Sequence, residues 1–591
     1  MSHPVAAVRS ITLADQLKCH TVRRRRSHRH VPARPLNPQV LGSNPRGRTP
    51  ESPQPVNNID VMRTDDAEKW TGAGGLPVAA SECVPPMDVL SAVLGNAEWL
   101  GDRPAVKDLE REISYADLAD EIRRVATGIA NLGVGVDSRV VLLIGNSVDF
   151  VVAALACNWV GAMFVPVSVS DPIERQAAII SDCEPHLVIL ADQTGDFPGG
   201  HSVISYSDLA RPAADFVAPT PRVGRLAYAI YTSGTTGSPK GAMISSAAFA
   251  SSVAEIGRIQ PVNTDTRALC VSPVHFDGSF STIFPTLYYG GLLVIPERSS
   301  LAFPRAYFSA LARYEIDSVS FSPSFLRLLL TGRGLSGFAN SSLRVVALGG
   351  EAASCSEVKA IWDVKPSIRV INRYGPTETT ITVSDFELTP ELLAGGYVPI
   401  GGPHRGTSFH LLKSDGTPVS TPGEAGELYI GGGQLMDSYW KAPELTTSVL
   451  RCDIVPGEVT YKTGDLLRLD ERGHYAFLGR ADRVVKRSGI RLSLVEVAEE
   501  LTNLTGVQAA ATVTFDNEGT LGVAAFVVVD TGVDHLDVRD RAAAVLPTTM
   551  LPDRIIVVAE LPLGTSSKVD ERRLLREARL APWPLKGIAT A

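Results

Sequence analysis

The sequence predicts an α/β fold class, with a large N-terminal domain of α/β subdomains, a β-rich lobe and a small α+β C-terminal domain. Three observations predict this architecture. From Val89, amphipathic helical segments alternate with short strands rich in Val, Ile and Leu, as is typical of α/β proteins. After about residue 398 the strands become shorter and are separated by glycines, which favours a β-rich lobe. From Asp482 a shorter mixture of helices and strands predicts the C-terminal domain.

The predicted elements follow from the spacing of apolar residues. Apolar residues three and four positions apart predict helices, and short β-branched runs between turn signals predict strands. The predicted helices span residues 116–132, 147–160, 173–181, 494–503 and 536–545. The predicted strands span residues 139–144, 163–168, 186–191, 225–231, 268–272, 292–295, 317–321, 343–348, 408–416, 426–432, 475–479, 507–514 and 521–529.

One stretch is long enough to cross a membrane. The 21 residues between Asp149 and Asp171 carry no charge, and about 20 apolar residues span a bilayer. Asn158, Gly161 and Pro166 interrupt the stretch. We therefore expect a buried helix followed by a glycine turn and a strand, and not a membrane span.

Residues 1–84 differ in composition from the rest of the chain. The 591 residues carry 56 Lys and Arg against 64 Asp and Glu, a net charge of −8. The first sixty residues nonetheless hold ten basic and three acidic residues, including the run TVRRRRSHRH at 21–30. Because this segment lacks apolar periodicity, we expect a disordered head over 1–84. Binding of RNA or an anionic membrane through 21–30 is an alternative, as is a translation start at Met62 or Met87.

The composition excludes several classes of protein. Hydrophobic residues make up 44% and charged residues 20%, which excludes a collagen, a coiled coil and wholesale disorder. The seven cysteines are too widely spaced for a disulfide scaffold, and no CxxC motif or Cys/His cluster predicts zinc. The N-terminus lacks the apolar core of a signal peptide. We therefore expect a soluble cytoplasmic protein whose acidic body binds neither nucleic acid nor membranes.

A glycine- and hydroxyl-rich motif follows the strand predicted over 225–231. It reads TSGTTGSPKGA over 232–242. Its glycines allow backbone N–H groups to turn toward an anion, its hydroxyls can donate hydrogen bonds, and its lysine adds a positive charge. It is not a Walker loop, because the second glycine does not directly precede the lysine. The residues expected to grip a phosphate are Thr232, Ser233, Gly234, Thr235, Thr236, Gly237 and Lys240.

Further motifs occur in order along the chain. They are ISYADLAD (113–120), WVGAMFVPV (159–167), HFDGSF (275–280), GGEA (349–352), NRYGPTETT (372–380), GELYIGG (426–432), the run from YKTGD to VEVAEEL (461–501) and PLGTSSKVDERRL (562–574). Together with the phosphate motif, they resemble the adenylate-forming superfamily of acyl-CoA synthetases, luciferases and nonribosomal peptide adenylation domains. In particular, the chain resembles stand-alone amino acid adenylation enzymes, including the β-amino acid activators of macrolactam antibiotic pathways.

The resemblance implies a two-step ligase that uses ATP and Mg²⁺. A substrate carboxylate attacks the α-phosphate and releases pyrophosphate, and a thiol then takes the acyl group. The implied acceptor is the phosphopantetheine of a discrete carrier protein, and the alternative is an acyl-CoA ligase that uses free coenzyme A. The family also implies a mobile C-terminal domain that rotates at Asp482, which gives predicted domains of 1–84, 85–481 and 482–591.

The family assigns the reaction chemistry to a few positions. Lys568 matches the catalytic lysine that bridges carboxylate and phosphate oxygens, although Ser566 and Ser567 precede it in place of the commoner Asn-Gly. Glu378 matches the Mg²⁺ ligand, assisted by Thr232, and a hard cation prefers such oxygen ligands. Thr377 matches the residue that contacts the α-phosphate.

The adenosine site is implied in the same way. Its matched residues are Gly350, Glu351, Asn372, Tyr374, Asp465 and Arg480. Tyr374 is expected to stack on adenine, and Asp465 to accept hydrogen bonds from both ribose hydroxyls. Because the charged residues of the motifs are intact, a non-catalytic homologue is disfavoured.

Asp277 distinguishes an amino acid substrate from a simple acyl chain. In HFDGSF it occupies the position where amino acid activators keep an aspartate for the substrate ammonium, and its alternative role is to cap a helix that starts at Gly278. Arg373 suits a second substrate carboxylate, which favours an acidic or β-amino acid such as 3-methylaspartate. An outward-pointing Arg373, or one paired with Glu351, is the alternative. The other pocket positions implied are Gly278, Ser281, Ser320, Ala347, Gly349, Ile381 and Thr382.

Overall fold

The computed structural model describes residues 86–191, 201–211, 219–222, 224–232, 239–297, 304–330, 334–481, 484–487, 490–517, 520–562 and 571–580. These residues belong to one compact unit, Ala79–Ala591. The expected head at 1–84 and the expected hinge residue Asp482 lie outside the described residues. The division into domains therefore stays a prediction.

Each of the five predicted helices matches a helix of the described residues to within a few residues, and the other helices were not predicted. The helices of the described residues are α1 (Val89–Leu100), α2 (Tyr115–Asn131), α3 (Val148–Trp159), α4 (Ile173–Cys183), α5 (Tyr206–Leu209), α6 (Ser246–Ile259), α7 (Phe280–Tyr288), α8 (Pro304–Arg313), α9 (Pro323–Leu330), α10 (Gly334–Ala339), α11 (Cys355–Val364), α12 (Pro443–Val449), α13 (Leu494–Thr502), α14 (His535–Val545) and α15 (Glu571–Leu580). Local side chains fix several helix starts. Ser114 and Asp117 form a capping box at α2, and Ser147 accepts the N–H of Phe150 at α3.

The strands alternate with these helices over most of the chain. They are β1 (Pro104–Lys107), β2 (Glu112–Ser114), β3 (Arg139–Leu143), β4 (Met163–Pro166), β5 (Leu187–Leu190), β6 (Val203–Ser205), β7 (Leu226–Thr232), β8 (Lys240–Ser245), β9 (Arg267–Leu269), β10 (Leu292–Val294), β11 (Ser318–Phe321), β12 (Val345–Leu348), β13 (Arg369–Tyr374), β14 (Ser384–Glu387), β15 (Thr407–Leu412), β16 (Ala425–Gly432), β17 (Ser438–Tyr439), β18 (Leu450–Val455), β19 (Glu458–Leu469), β20 (Tyr475–Arg480), β21 (Val484–Arg487), β22 (Ile490–Ser493), β23 (Val507–Asn517), β24 (Thr520–Val529) and β25 (Arg554–Val557).

Two mainly parallel sheets organise the site. The first has the order β14-β13-β12-β11-β9-β10-β1-β2, with antiparallel pairs at its two ends. The second has the order β17-β8-β7-β4-β3-β5-β6, in which β8 runs antiparallel to both of its neighbours. Because the carboxyl ends of parallel strands meet at one edge of a sheet, residues that end β11, β12 and β13 lie side by side.

The remaining sheets confirm the predicted change of architecture. Strands β15, β16, β19 and β18 form an antiparallel sheet, and β20 pairs with β19 to complete the β-rich lobe. Nearer the C-terminus, β21 pairs with β22, and β23, β24 and β25 form a separate sheet. The predicted α/β fold class with a β-rich lobe and a C-terminal α+β region is therefore confirmed.

The uncharged stretch that could have crossed a membrane instead forms α3 and β4. Most side chains of α3 are fully buried within the largest hydrophobic core. Gly161 makes the turn that follows, with φ of +79°. A Cβ at this position would lie only 2.7 Å from the Arg222 carbonyl oxygen, which is too close for any residue but glycine. Among the helices that the structure describes, none is long and apolar enough to cross a membrane.

Candidate active site

Strands β7 and β8 bring the two ends of the phosphate motif together. Thr232, the last residue of β7, pairs with Lys240, the first residue of β8, in antiparallel register. The expected loop residues Ser233, Gly234, Thr235, Thr236 and Gly237 lie outside the described residues. The Thr232 Oγ1 atom is buried and has no hydrogen-bond partner among the described residues. An unsatisfied buried hydroxyl is costly unless a ligand completes it, so the base of this hairpin suits an oxygen-binding group.

Glu378 and Lys240 converge on a tyrosine that the sequence analysis did not identify. Glu378 lies on a 3₁₀ turn, Thr377–Thr379, that follows β13, and its side chain is fully buried. The Tyr439 hydroxyl donates to Glu378 Oε1 at 2.5 Å. The Lys240 Nζ atom lies 4.5 Å from the centroid of the Tyr439 ring, a cation–π distance. Tyr439 therefore contacts both an expected metal ligand and the lysine of the phosphate motif.

The expected adenosine residues meet where β12, β13 and β19 approach each other. The Tyr374 hydroxyl donates to Asp465 Oδ2 at 2.6 Å. Burial, and then the adjacent Asp465 carboxylate, raise the pKa of the Tyr374 phenol well above its ordinary value, so it stays a neutral donor. The Asn372 side-chain amide donates to the Pro399 carbonyl oxygen at 2.8 Å. This set places a fixed carboxylate and an aromatic ring at one site.

The other expected adenosine residues border the same place. Gly349, Gly350 and Glu351 directly follow β12, whose Leu348 pairs with Asn372. Gly350 has φ of +84°, a backbone conformation that L side chains rarely adopt. The backbone of Arg480 pairs with that of Asp465, and its side chain lies outside the described atoms.

Asp277 does not cap the helix that follows it. It is the first residue of a 3₁₀ turn that leads into α7, and the N-cap residues of the turn and of the helix are Phe276 and Ser279. Burial, and then the Asp277 negative charge, raise the pKa of the Tyr228 phenol well above its ordinary value. The Asp277 charge thus acts on Tyr228, which is buried in an aromatic cluster with Phe280.

The expected pocket residues form a continuous line of contacts. Ser281 Oγ donates to the Gly278 carbonyl at 2.7 Å and lies 3.4 Å from Ser320 Oγ. Arg373 Nη1 donates to Ser320 Oγ at 3.1 Å. Ala347 pairs in register with Ser320, and a Cβ added to Gly349 would lie 2.9 Å from the Cβ of Arg373. Glycine at 349 therefore leaves the space that the Arg373 side chain needs.

Arg373 is paired with Asp385, and not with Glu351 or with solvent. Its Nε atom lies 2.5 Å from Asp385 Oδ1, and the two side chains are 2% and 1% exposed. Burial alone would raise the pKa of Asp385, but Arg373, His404 and Thr382 outweigh it and lower the pKa. The stability that this ion pair contributes is therefore present at neutral pH and is lost only as the pH falls through that lowered pKa. The sequence analysis did not identify Asp385 or His404.

The backbone between Glu378 and Thr382 is strained. Thr380 and Ile381 adopt consecutive left-handed conformations, with φ of 62° and 68°. A β-branched residue in this region costs about 1–3 kcal/mol, and such strain is concentrated at functional sites. The Ser252 hydroxyl donates to the Thr380 carbonyl at 2.7 Å, and the Thr380 hydroxyl donates to the Gln434 carbonyl at 2.6 Å. These bonds hold Ile381 and Thr382 in place beside the line of pocket residues.

The comparisons with known proteins agree with this geometry. The model of the AMP-binding enzyme family matches residues 95–440. The chain is 31% identical to surfactin synthase subunit 1 of Bacillus subtilis, over 88% of this chain and 15% of that protein. It is 33% identical to AMB antimetabolite synthetase AmbB of Pseudomonas aeruginosa, over 88% of this chain and 41% of that protein. The chain thus spans less than half the length of these curated relatives.

Solved structures share the fold. PA1221, an NRPS protein containing adenylation and PCP domains, superposes with a TM-score of 0.74 at 24% identity, over 83% of this chain and 84% of that chain. IdnL1 superposes with a TM-score of 0.69 at 29% identity, over 82% of this chain and 100% of that chain. The finer resemblance to β-amino acid activators of macrolactam pathways stays a prediction. Since the family model matches more than half of the residues, the resemblance to the adenylate-forming superfamily is confirmed, and the chain belongs to the AMP-binding enzyme family of adenylate-forming ligases.

Proposed function

We propose that this chain uses ATP to activate the carboxylate of an amino acid as an aminoacyl-adenylate and passes the acyl group to the phosphopantetheine thiol of a separate carrier protein. One observation carries the choice of an amino acid. Asp277 begins the turn that leads to the proposed pocket residue Ser281, and its negative charge acts on the buried Tyr228 phenol. A substrate ammonium is the cation that such a carboxylate suits.

The described residues fit a magnesium ion. Glu378 supplies a buried carboxylate, and Thr232 supplies a buried hydroxyl that lacks a hydrogen-bond partner among the described residues. In the part of the chain that the structure describes, no three or more His, Cys, Asp or Glu side chains are grouped so that they could hold a metal ion by themselves. This sparse set is what Mg²⁺ needs beside substrate phosphates, because it keeps several water ligands. When bound, the ion neutralises charge on the phosphate oxygens.

The side chains of this site act by positioning and by charge. A substrate carboxylate oxygen bonds to the α-phosphorus of ATP while the bond to pyrophosphate breaks, and pyrophosphate leaves with the electron pair. No protein nucleophile takes part. Lys240 lies next to the phosphate loop, Tyr439 orients both Lys240 and Glu378, and the Tyr374–Asp465 pair holds the nucleoside. Aligning the reactants and stabilising the developing charge account for the catalysis.

Two assignments lie outside the described residues or side chains. Lys568 remains our proposal for the lysine that bridges the carboxylate and phosphate oxygens. Arg480 remains our proposal for a second ribose contact, and Asp465, its backbone partner, is 2% exposed. Thr377, by contrast, lies within the described residues, and it is proposed to contact the α-phosphate because it begins the turn that carries Glu378.

Changing Asp277 to Asn tests the amino acid substrate. The variant removes the charge but keeps the shape, and the loss of a charge-assisted bond of about 1.5–3 kcal/mol is expected to lower kcat/KM for the amino acid about 10- to 150-fold. Pyrophosphate exchange measured over a panel of α- and β-amino acids gives this ratio. Asp265→Asn is the matched control, because the Asp265 side chain is 86% exposed.

The same assay separates the alternatives. If fatty or aryl acids support exchange better than any amino acid, and Asp277→Asn leaves that activity unchanged, the amino acid proposal is wrong. An assay with free coenzyme A and with a carrier protein as acceptors then distinguishes the carrier reaction from an acyl-CoA ligase. The structure of PA1221, which contains adenylation and PCP domains, supports the carrier as acceptor.

Changing Tyr439 to Phe tests the positioning of Glu378 and Lys240. The ring stays beside Lys240, but the 2.5 Å hydrogen bond to Glu378 is lost. We expect the Mg²⁺ concentration needed for half-maximal ATP binding to rise about tenfold, because Glu378 is no longer held in place. Calorimetry of ATP binding at several Mg²⁺ concentrations measures this shift without turnover. Tyr429→Phe is the control, since its hydroxyl lies 3.4 Å from the carboxylate of Glu427 and not beside Glu378, and an equal shift in both variants would contradict the role.

The side-chain class of the substrate stays a prediction. The sequence analysis favoured an acidic or β-amino acid such as 3-methylaspartate because of Arg373. The pairing of Arg373 with Asp385 weakens the acidic part of that prediction, since a second carboxylate at Arg373 would be repelled by Asp385. The Arg373–Asp385 pair does not bear on the other part of the prediction, that the substrate carries its amino group at the β position.

A further inference from the structure

A buried network of polar side chains surrounds Arg373. Asp385 Oδ1 lies 2.5 Å from Arg373 Nε, while Asp385 Oδ2 accepts the Thr382 hydroxyl at 2.8 Å and lies 2.9 Å from His404 Nε2. His404 Nδ1 lies 3.1 Å from Gln434 Oε1, and the Gln434 amide donates to the Thr382 carbonyl at 2.8 Å. Two side chains therefore hold Asp385 Oδ2, while Oδ1 faces the guanidinium as an ion-pair contact that lacks hydrogen-bond geometry.

The rest of the guanidinium is also held by protein groups. Arg373 Nη1 donates to Ser320 Oγ at 3.1 Å and lies 3.4 Å from the Ser281 carbonyl oxygen. Arg373 Nη2 donates to Gln260 Oε1, and Gln260 in turn donates to the Ser318 hydroxyl. The Nη1 atom of the guanidinium thus contacts Ser281 and Ser320, while Asp385 offsets the positive charge of Arg373.

This network lies at the far end of the line of pocket residues. Asp277 begins the turn that leads to Ser281, and Ser281 Oγ lies 3.4 Å from the Ser320 hydroxyl that Arg373 contacts. On the proposed function, the substrate ammonium is held at Asp277. Its side chain then extends along Ser281 and Ser320 toward Arg373.

We infer that Asp385 determines the charge preference of this pocket by offsetting the charge of Arg373. A substrate with an anionic side chain must share one guanidinium with a fixed carboxylate, and two like charges in a buried site repel strongly. A substrate with an amide in the same place avoids that repulsion and can still accept a hydrogen bond. Asp385 is thus a positioning and specificity-determining residue that acts through Arg373, and the repulsive element is its own charge.

The test compares matched acid and amide substrates. Wild type and Asp385→Asn are assayed by pyrophosphate exchange with aspartate and asparagine, glutamate and glutamine, and the corresponding β-amino acids. The assay runs at pH 8.5, above the ordinary titration range of imidazole. In each pair that supports exchange, we expect Asp385→Asn to raise the kcat/KM ratio of acid to amide at least tenfold. A general loss of structure would lower kcat/KM for the acid and for the amide alike, and would leave their ratio unchanged.

Two further variants act as controls. Asp385→Glu keeps the charge, and its acid-to-amide ratio is expected to stay within threefold of wild type. Glu387→Gln removes a carboxylate from the exposed pair with Arg369 on the same two strands and is expected to leave the ratio unchanged. Circular dichroism and melting curves establish that each variant is folded.

The outcomes separate this inference from the proposed function. Three outcomes overturn the inference alone. The acid-to-amide ratio is unchanged in a folded Asp385→Asn enzyme, or it rises equally in Asp385→Glu, or Asp385→Asn shows no exchange with either member of any substrate pair. Absence of exchange with every amino acid in the wild-type enzyme overturns the proposed function and the inference with it.

Discussion

Replacing Glu378 with Gln is expected to lower the rate of adenylate formation on the order of hundredfold or more, because the site loses the carboxylate that can hold a cation beside the phosphates. Glu378 is fully buried and accepts the Tyr439 hydroxyl, which an amide oxygen can also accept. The variant should therefore fold normally. Pyrophosphate exchange measures the rate, and calorimetric titration of ATP at increasing Mg²⁺ concentration measures the loss of metal-dependent binding.

The control for Glu378 is Glu387→Gln. Glu387 lies on the strand that follows the Glu378 turn and forms a surface pair with Arg369 in which both side chains are about 40% exposed. Its loss is expected to leave the exchange rate and its Mg²⁺ dependence unchanged. Exchange by Glu378→Gln within threefold of wild type, with the same dependence on Mg²⁺, would show that this carboxylate does not serve the metal.

Replacing Arg373 with Met is expected to lower the free energy of unfolding by about 3–5 kcal/mol, because Asp385 is left buried without its cation. The double variant Arg373→Met/Asp385→Leu is expected to recover most of this loss, since well-packed apolar groups often replace a buried ion pair at little cost. Urea unfolding followed by intrinsic fluorescence gives the shift of the midpoint in each variant, and the double-mutant cycle gives the coupling.

The fold supplies a matched surface pair for this experiment. Strands β13 and β14 carry both Arg373–Asp385, at 2% and 1% exposure, and Arg369–Glu387, at 39% and 41%. An arginine–carboxylate pair thus occurs twice on one pair of strands, once buried and once at the surface. Arg369→Met is expected to cost less than about 1 kcal/mol. If Arg373→Met costs no more than Arg369→Met, the buried network does not contribute as described.

The sequence predicted those helices and strands whose own residues show a clear apolar pattern. The segment 147–160 was expected as a buried helix and forms α3, and 139–144 was expected as a strand and forms β3. These predictions succeeded because the apolar period and the Ser147 cap act locally. By contrast, β17 has only two residues, Ser438 and Tyr439, and no periodicity can be read from so short a strand.

Long-range strand pairing explains why the sequence motifs did not identify every residue of the site. Tyr439 contacts Glu378 and Lys240 because β17 pairs with β8, far away in the chain, and a local pattern does not encode that pairing. Asp385 is different, because β13 and β14 form a hairpin in which Arg373 and Asp385 are direct partners. Aligning that hairpin on the sequence would have paired the two residues in advance.

The pairing of β17 with β8 also bears on how the enzyme acquires activity during folding. The neighbouring Trp440 indole donates to the Asp182 carbonyl at 2.8 Å across a separation of 258 residues. Contacts between such distant residues require closure of a large loop and so tend to form late. A chain that is refolding should therefore regain most of its helical signal before it can hold a nucleotide. Recovery of ATP binding would report on the formation of these long-range contacts, while circular dichroism would report on the formation of the individual helices.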